Sequence, residues 1–287
     1  MSRAALVALA AVLARAQDFS NVKLELAAQG LVYAQGPAWS RDGFLIFSDT
    51  VEDKLYKLAA GHEAEVYRTG ASGPAGNAFD AEGRLYTCET RARRVTRTDK
   101  KGKIEVLAER WEGKRLNAPN DIVVNQANGR AYFTDPAFGY QQDQRELDFC
   151  GVYEIPPHGP LKLAAKPAGR PNGVALSPNG RILYVANADE RNVREYTLDR
   201  AGDLSGERVL IARTDGVPNG IRTDEKGNLY VAGRGVAVYS PDGRLIHNFE
   251  LVRPASNCGF GGADGRYLFI ASGGNLYRAR LDVKGAY

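Results

Sequence analysis

The pattern that most limits how this chain can fold is one that it writes six times. Each copy is a polar or small residue, a short apolar strand, a turn carrying glycine, and a second strand of Leu, Tyr, Phe, Val or Ile. The copies begin at Gln35 (QGPAWSRDGFLIFSD), Ala75 (AGNAFDAEGRLYTCE), Asn120 (NDIVVNQANGRAYFTD), Asn172 (NGVALSPNGRILYVA), Asn219 (NGIRTDEKGNLYVAG) and Asn257 (NCGFGGADGRYLFIA). Their turn glycines, Gly43, Gly83, Gly129, Gly180, Gly227 and Gly265, follow one another at intervals of 40, 46, 51, 47 and 38 residues. A period of about 45 residues with several strands per unit is the mark of propeller blades. The chain is therefore expected to be all-β, a six-bladed β-propeller.

Each unit extends to four strands, the first predicted at Pro37–Ser40, Phe44–Ser48, Lys54–Leu58 and Ala64–Arg68. Short strands, β-branched and aromatic enrichment, and the lack of any long segment of helical period exclude a helical repeat. The sixth unit has no fourth strand after Leu276–Leu281. The missing strand is expected from the other end, where Val22–Ala27 (VKLELA) resembles the outer strands AEVYR and KIEVLA. Borrowing it would close the ring and remove an exposed edge.

Residues 1–16 stand apart. Arg3 gives a positive start, Ala4–Leu13 is an apolar run too short to span a bilayer, and Ala14-Arg15-Ala16 has small-x-small form. That reads as a signal peptide, leaving a propeller domain over 17–287 that is periplasmic or secreted. Without Arg3 and Arg15 the formal net charge drops from +4 to +2. The basic residues are scattered without a stripe, which argues against nucleic acid, and nothing marks a membrane surface. Cys88, Cys150 and Cys258 are an odd number, so no disulfide framework is expected. Cys88 and Cys150 fall in or beside predicted strands and read as buried, inert thiols.

In a propeller the innermost strand of each blade lines the central channel, so the lead residues of the copies converge. That column reads Gln35, Ala75, Asn120, Asn172, Asn219 and Asn257, five side-chain amides in six places. Taken singly, an Asn before Gly is an ordinary turn residue. Taken as a ring, the carbonyl oxygens suit a hard cation such as calcium, or the hydroxyls of a sugar-like ligand.

Nearly end to end, the chain resembles the gluconolactonase / regucalcin / luciferin-regenerating enzyme family, closest to its bacterial gluconolactonases. The resemblance is carried by GPAW (36–39), RRVTR (93–97), GKRLNAPNDIVV (113–124), YFTDPAFG (132–139), RPNGVALSPNGRILYVAN (170–187), PNGIRTDEKGNLYVAG (218–233) and the FGGADGRYLFIAS run (260–272). It implies a divalent metal, Ca2+ or Zn2+, at the top of the channel, held at the positions of Gln35, Asn172 and Asn219. It also implies that Asn120 contacts the metal through water, or the substrate. Both carboxylate ligands of the family are here replaced by their amides, Gln35 for Glu and Asn219 for Asp. Thr90 stands where relatives often carry His.

Those replacements bear on mechanism, because an amide accepts no proton at neutral pH. By the resemblance, Asn219 holds the position of an Asp often taken as the general base, and the remaining candidates for a base are Asp121 and Glu89. Arg115, Asn117, Asn120 and Tyr140 are the substrate-binding candidates, Tyr140 lying on an insertion, Ala137–Asp148, that no other copy carries. Asp49 and Asp135 recur at one architectural position and read as loop-capping acids. The expected activity is opening of a sugar lactone or related cyclic ester, a small-molecule substrate, at a weakly held metal. The alternative is a catalytically silent propeller that binds a sugar acid or polyol in an amide-lined pocket.

Overall fold

In a computed structural model that describes residues 17–286, the six copies are six four-stranded antiparallel sheets. The leader expected over residues 1–16 lies outside the described residues. Blade 1 is Ala34–Ser40, Phe44–Asp49, Lys54–Ala59 and Glu65–Arg68, paired in that order from the channel outward. Blades 2 to 5 repeat the plan, with innermost strands Pro74–Phe79, Ile122–Val124, Pro171–Leu176 and Ile221–Thr223.

Alternation along each strand decides where the core goes, since successive side chains point to opposite faces. In blade 1, Leu45 and Phe47 face Phe269 and Leu276 of blade 6, whereas Ile46 faces Leu85 of blade 2. The same division gives one apolar cluster between every neighbouring pair of blades. The core is thus six interfaces arranged round an axis.

Ring closure falls to the N-terminal strand. Glu25–Ala28 pairs antiparallel with Asn275–Arg280 as the outermost strand of blade 6, in the register Glu25↔Arg278. It starts later than the sequence predicts, because Val22 and Leu24 are drawn into the cluster between blades 5 and 6. The innermost strand of blade 1 starts earlier than predicted, at Ala34, because a bulge between Gln35 and Ala38 keeps the lead residue inside the sheet. Equivalent bulges occur in blades 2, 4 and 6.

Two departures from the repeat lie at the end of the channel where the lead residues sit. A small hairpin, Arg110–Trp111 with Lys114–Arg115, leads into Asn117 and Asn120. After Asp135 the insertion forms a single 3-10 turn, Gly139–Gln144. Among the described residues no helix is long and apolar enough to cross a membrane.

Candidate functional site at the channel mouth

A closed ring of blade-to-blade hydrogen bonds fixes the level of the lead residues. Ser256 Oγ donates to Ala34 O (2.6 Å), Ser48 Oγ to Ala75 O (2.8 Å) and Gly76 N to Asn120 O (2.7 Å). Thr134 Oγ1 donates to Asn172 O (2.5 Å), Asn172 Nδ2 to Pro218 O (3.2 Å) and Gly220 N to Ser256 O (3.0 Å). The ring passes through all six blades and brings Gln35, Ala75, Asn120, Asn172 and Asn219 to one level of the channel.

The sixth member of that column is Ser256, not Asn257. Ser256 bonds to the residue before Gln35 just as Asn172 bonds to the residue before Asn219, and it accepts from Gly220 as Asn120 accepts from Gly76. Asn257 is one place further down, level with Gly36, Gly76, Asp121, Gly173 and Gly220. At this lower level the channel is narrow enough to demand glycine. A Cβ on Gly36, whose φ is +49°, would lie 2.2 Å from Ala75 O, and one on Gly173 would lie 2.1 Å from Asn219 O. Only Asp121 and Asn257 project side chains here, and Asn257 Nδ2 donates to Asp121 Oδ1 at 3.2 Å.

The oxygens of the mouth are distinctive. Buried amide oxygens need partners, and few go without. Yet at this level the Oδ1 atoms of Asn120, Asn172 and Asn219 are buried without a hydrogen bond, as are those of Asn117 on the preceding loop and Asn192 in blade 4. Asn117 arrives from the loop after the hairpin. Asp135 holds that loop by accepting from Asn117 N (2.8 Å) and Ala118 N (2.7 Å), while Asn117 Nδ2 donates to the carbonyls of Asp135 and Phe149. These bonds spend the nitrogen and leave Oδ1 free. Gln35 differs, because its Oε1 accepts from Gly36 N at 3.0 Å. Tyr33, which no repeat logic selects, sets its part-exposed phenol against the Asn219 side chain. Burial raises that phenol above the ordinary tyrosine value, and the Asn219 hydrogen bond opposes the rise.

The two expected carboxylates are engaged elsewhere. Glu89 turns outward between blades 1 and 2, where it accepts from Arg68 (2.5 Å), Arg94 (2.6 Å) and Thr96 (3.1 Å). Asp121 points into the lumen below the mouth. Its oxygens take a two-pronged ion pair from Arg222 of blade 5, at 2.9 and 3.1 Å, and the amide of Val174 in blade 4 at 3.1 Å. Both acids, expected as candidate bases, are thus engaged in ion pairs, Glu89 with Arg68 and Arg94 and Asp121 with Arg222.

Arg115 is committed as well, donating to Ala92 O at 2.7 Å. Tyr140 lies exposed on the 3-10 turn, outside the ring. Asp49 and Asp135 cap loops: Asp49 accepts four backbone N–H groups of residues 32, 33, 51 and 52. All three thiols are unpaired and buried, and burial pushes Cys258 up to about 12.

Over the described residues the structure defines a six-bladed propeller with a cluster of amide oxygens at one end of its channel. The chain belongs to the SMP-30/Gluconolactonase/LRE-like family, whose described region matches residues 33–274. It is similar to the gluconolactonase of Zymomonas mobilis subsp. mobilis, with 30% identity over 92% of this chain and 83% of that protein. Among solved structures it is similar to a gluconolactonase from Xanthomonas campestris, with a TM-score of 0.85, 33% identity and coverage of 91% of this chain and 90% of that one. Regucalcin of Agrobacterium tumefaciens, described as a calcium-binding protein, shares the fold at a TM-score of 0.76 and 19% identity, over 91% of this chain and 95% of its own.

Proposed function

We propose that the chain is an exported hydrolase of the gluconolactonase type, which opens a sugar lactone or related cyclic ester at the mouth of its channel. One observation carries the reading. Four buried amide oxygens, from Asn117, Asn120, Asn172 and Asn219, stand unpartnered in a family in which relatives are named gluconolactonases. Uncharged oxygen donors are the right kind of ligand for a hard cation, though without charge they would hold calcium only weakly, with Kd about 10⁻⁴–10⁻³ M. Among the described residues no group of three or more His, Cys, Asp or Glu is arranged to hold a metal. Asn172 and Asn219, with Gln35 beside them, are therefore the residues to which a Ca2+ or Zn2+ ion is assigned. When bound, such an ion supplies Lewis-acid polarisation of the ester carbonyl.

The chain's own residues contribute binding and orientation. The free Oδ1 atoms accept hydrogen bonds from the lactone hydroxyls and from an attacking water. Asn117 and Asn120, on a loop anchored by Asp135, fix the sugar ring against the mouth. The phenol of Tyr33, protonated at neutral pH because its pKa stands above the ordinary tyrosine value, is placed to donate to an oxygen of the substrate beside Asn219. Asn219 positions water and does not deprotonate it.

A second reading has one specific observation in its favour. Glu89 and Asp121 are both bound in ion pairs away from the mouth, which suits a silent propeller holding a sugar acid or polyol. Calcium titration by calorimetry, followed by hydrolysis of D-glucono-1,5-lactone with and without the ion, separates the two. A rate above buffer that rises with calcium occupancy supports the hydrolase. A rate equal to buffer at saturating calcium overturns it in favour of the binding protein. The pair Gln35→Glu and Asn219→Asp restores two charges to the ring. It is expected to tighten calcium at least about tenfold and to raise the hydrolysis rate. Unchanged affinity in that variant would show that residues 35 and 219 do not face the ion.

A further inference from the structure

One cavity of the molecule is not at the mouth. It opens at the opposite end of the channel, beneath the turn glycines, with a volume of about 670 Å³. Asp121 and Arg222 separate the two ends, and Arg222 forms the floor of this far cavity. The walls are mixed: Trp39, Phe79, Val123, Leu176 and Phe260 stand beside polar side chains such as Asn125, Gln126 and Asn179. On one side the wall is the segment 284–286, tied down by Gly285 N to Gly265 O (3.0 Å) and Ala286 N to Thr223 O (3.0 Å).

The cavity lining carries more cations, Arg41, Arg222 and Lys284, than acids, although Glu225 accepts the Lys284 amide just outside it. Arg41 and Lys284 both line the cavity, and neither side chain has an ion-pair or hydrogen-bond partner among the described residues. The one acid in the lining, Asp80, is occupied by the Arg84 guanidinium at 2.6 Å and the Arg84 amide at 2.8 Å. Arg222 has its charge met by Asp121. Two cations without side-chain partners therefore stand at the rim of a chamber that includes aromatic rings, with no free acid among its described lining residues. A low-dielectric concavity lined by one sign of charge concentrates ligands of the opposite sign.

We infer that this far-end cavity is a second ligand site, separate from the mouth, which takes a small carboxylate with an apolar or aromatic body. The carboxylate meets Arg41 and Lys284, and the body packs against Trp39 and Phe79. The site does not depend on lactone hydrolysis, and occupancy of the mouth is not required for it.

Trp39 supplies the readout. The chain has two tryptophans. The other, Trp111, packs on Tyr153 in the hairpin and is replaced by phenylalanine so that emission reports Trp39 alone. Sodium benzoate is titrated at constant ionic strength into the Trp111→Phe chain, with calorimetry on the unmodified protein in parallel. A saturable change in emission with matching heat is expected, with benzamide, the uncharged analogue, binding at least tenfold more weakly. Arg41→Ala with Lys284→Ala, both exposed positions, should weaken benzoate tenfold or more. Asn172→Ala, at the mouth, should leave it unchanged. No saturable signal, equal affinity for benzamide, an unaffected Arg41/Lys284 variant, or loss of binding in Asn172→Ala would each overturn the assignment.

Discussion

At the scale of single residues, the axis of the propeller depends on one carboxylate. Asp121 reaches blades 4, 5 and 6 through Val174, Arg222 and Asn257, and it is fully buried. A buried charge that loses its partner is costly, whereas replacing both partners often is not. Asp121→Asn should therefore lower unfolding stability by about 3–5 kcal/mol, and adding Arg222→Met should recover much of that loss. Urea unfolding of the two singles and the double tests it, and a double variant no better than Asp121→Asn would rule out the ion pair as the cause. A different carboxylate sets the pH response. Burial raises Asp135 from 3.8 to about 7, against the lowering effects of the Asn117 and Ala118 amides and of Arg93. Between pH about 4 and 7 the folded chain thus keeps a proton that the unfolded chain has released. Stability should fall as pH rises through that window, by up to about 4 kcal/mol from this group, and the loss is absent below pH about 4. Asp135→Asn should flatten the dependence of unfolding free energy on pH, and an unaltered slope would show that Asp135 titrates normally.

At the scale of the strand, the Asn-Gly and Gln-Gly pairs answer two separate demands. The first residue presents an oxygen to the mouth, and the second must be small because the next blade comes within contact distance. Gly173→Ala places a Cβ 2.1 Å from Asn219 O, so blades 4 and 5 have to separate. Gly102, in an outer turn at φ +83°, has nothing within 4 Å of the same added atom. Thermal melts should show Gly173→Ala costing at least about 3 kcal/mol and Gly102→Ala about 1–2 kcal/mol from backbone strain alone. Equal losses would mean that interblade contact does not dictate the glycine. This double demand explains what was legible in sequence. The repeat exposed the column because glycine follows the lead residue in four copies, and the exceptions at Asp121 and Asn257 mark the side chains that fill the lumen. The same repeat misled at blade 6. Counting eight residues back from Gly265 lands on Asn257, while the sixth copy, like the third, spends nine and puts Ser256 at the mouth. Directions of side chains off the strands were not legible at all. Glu89 is aimed by Arg68 of the neighbouring blade as well as by its cross-strand neighbour Arg94, and Arg115 by Ala92, so the long-range partners Arg68 and Ala92 lie outside any local pattern.

At the scale of the whole molecule, the fold was readable because a propeller repeats its instructions, while its closure was readable from a missing fourth strand in the sixth copy and a stray outer-strand pattern, VKLELA, near the N-terminus. Blade 6 has three strands of its own, and the fourth comes from residues about 250 positions away, Glu25 pairing with Arg278. That strand is weakly held as a pair: the Glu25–Arg278 ion pair is exposed and worth little, and Leu26 is half exposed. Its importance lies in what it covers. Without it, the polar backbone of Asn275–Arg280 becomes an open edge, a template for pairing with another chain. The apolar residues just before it, Phe19, Val22 and Leu24, also leave the cluster between blades 5 and 6. Deleting residues 17–28 should therefore act on assembly as much as on stability. The truncated chain is expected to unfold at lower urea and to associate as protein concentration rises, seen by light scattering. Lys substituted for Tyr277, on the uncovered strand, should suppress that association and lower stability further, because a charged edge resists pairing while the Tyr277 ring leaves the cluster between blades 5 and 6. A truncated chain that stays monomeric with an unchanged urea midpoint would mean that the ring closes through the interblade cores alone, and that the N-terminal strand decorates blade 6 without completing it.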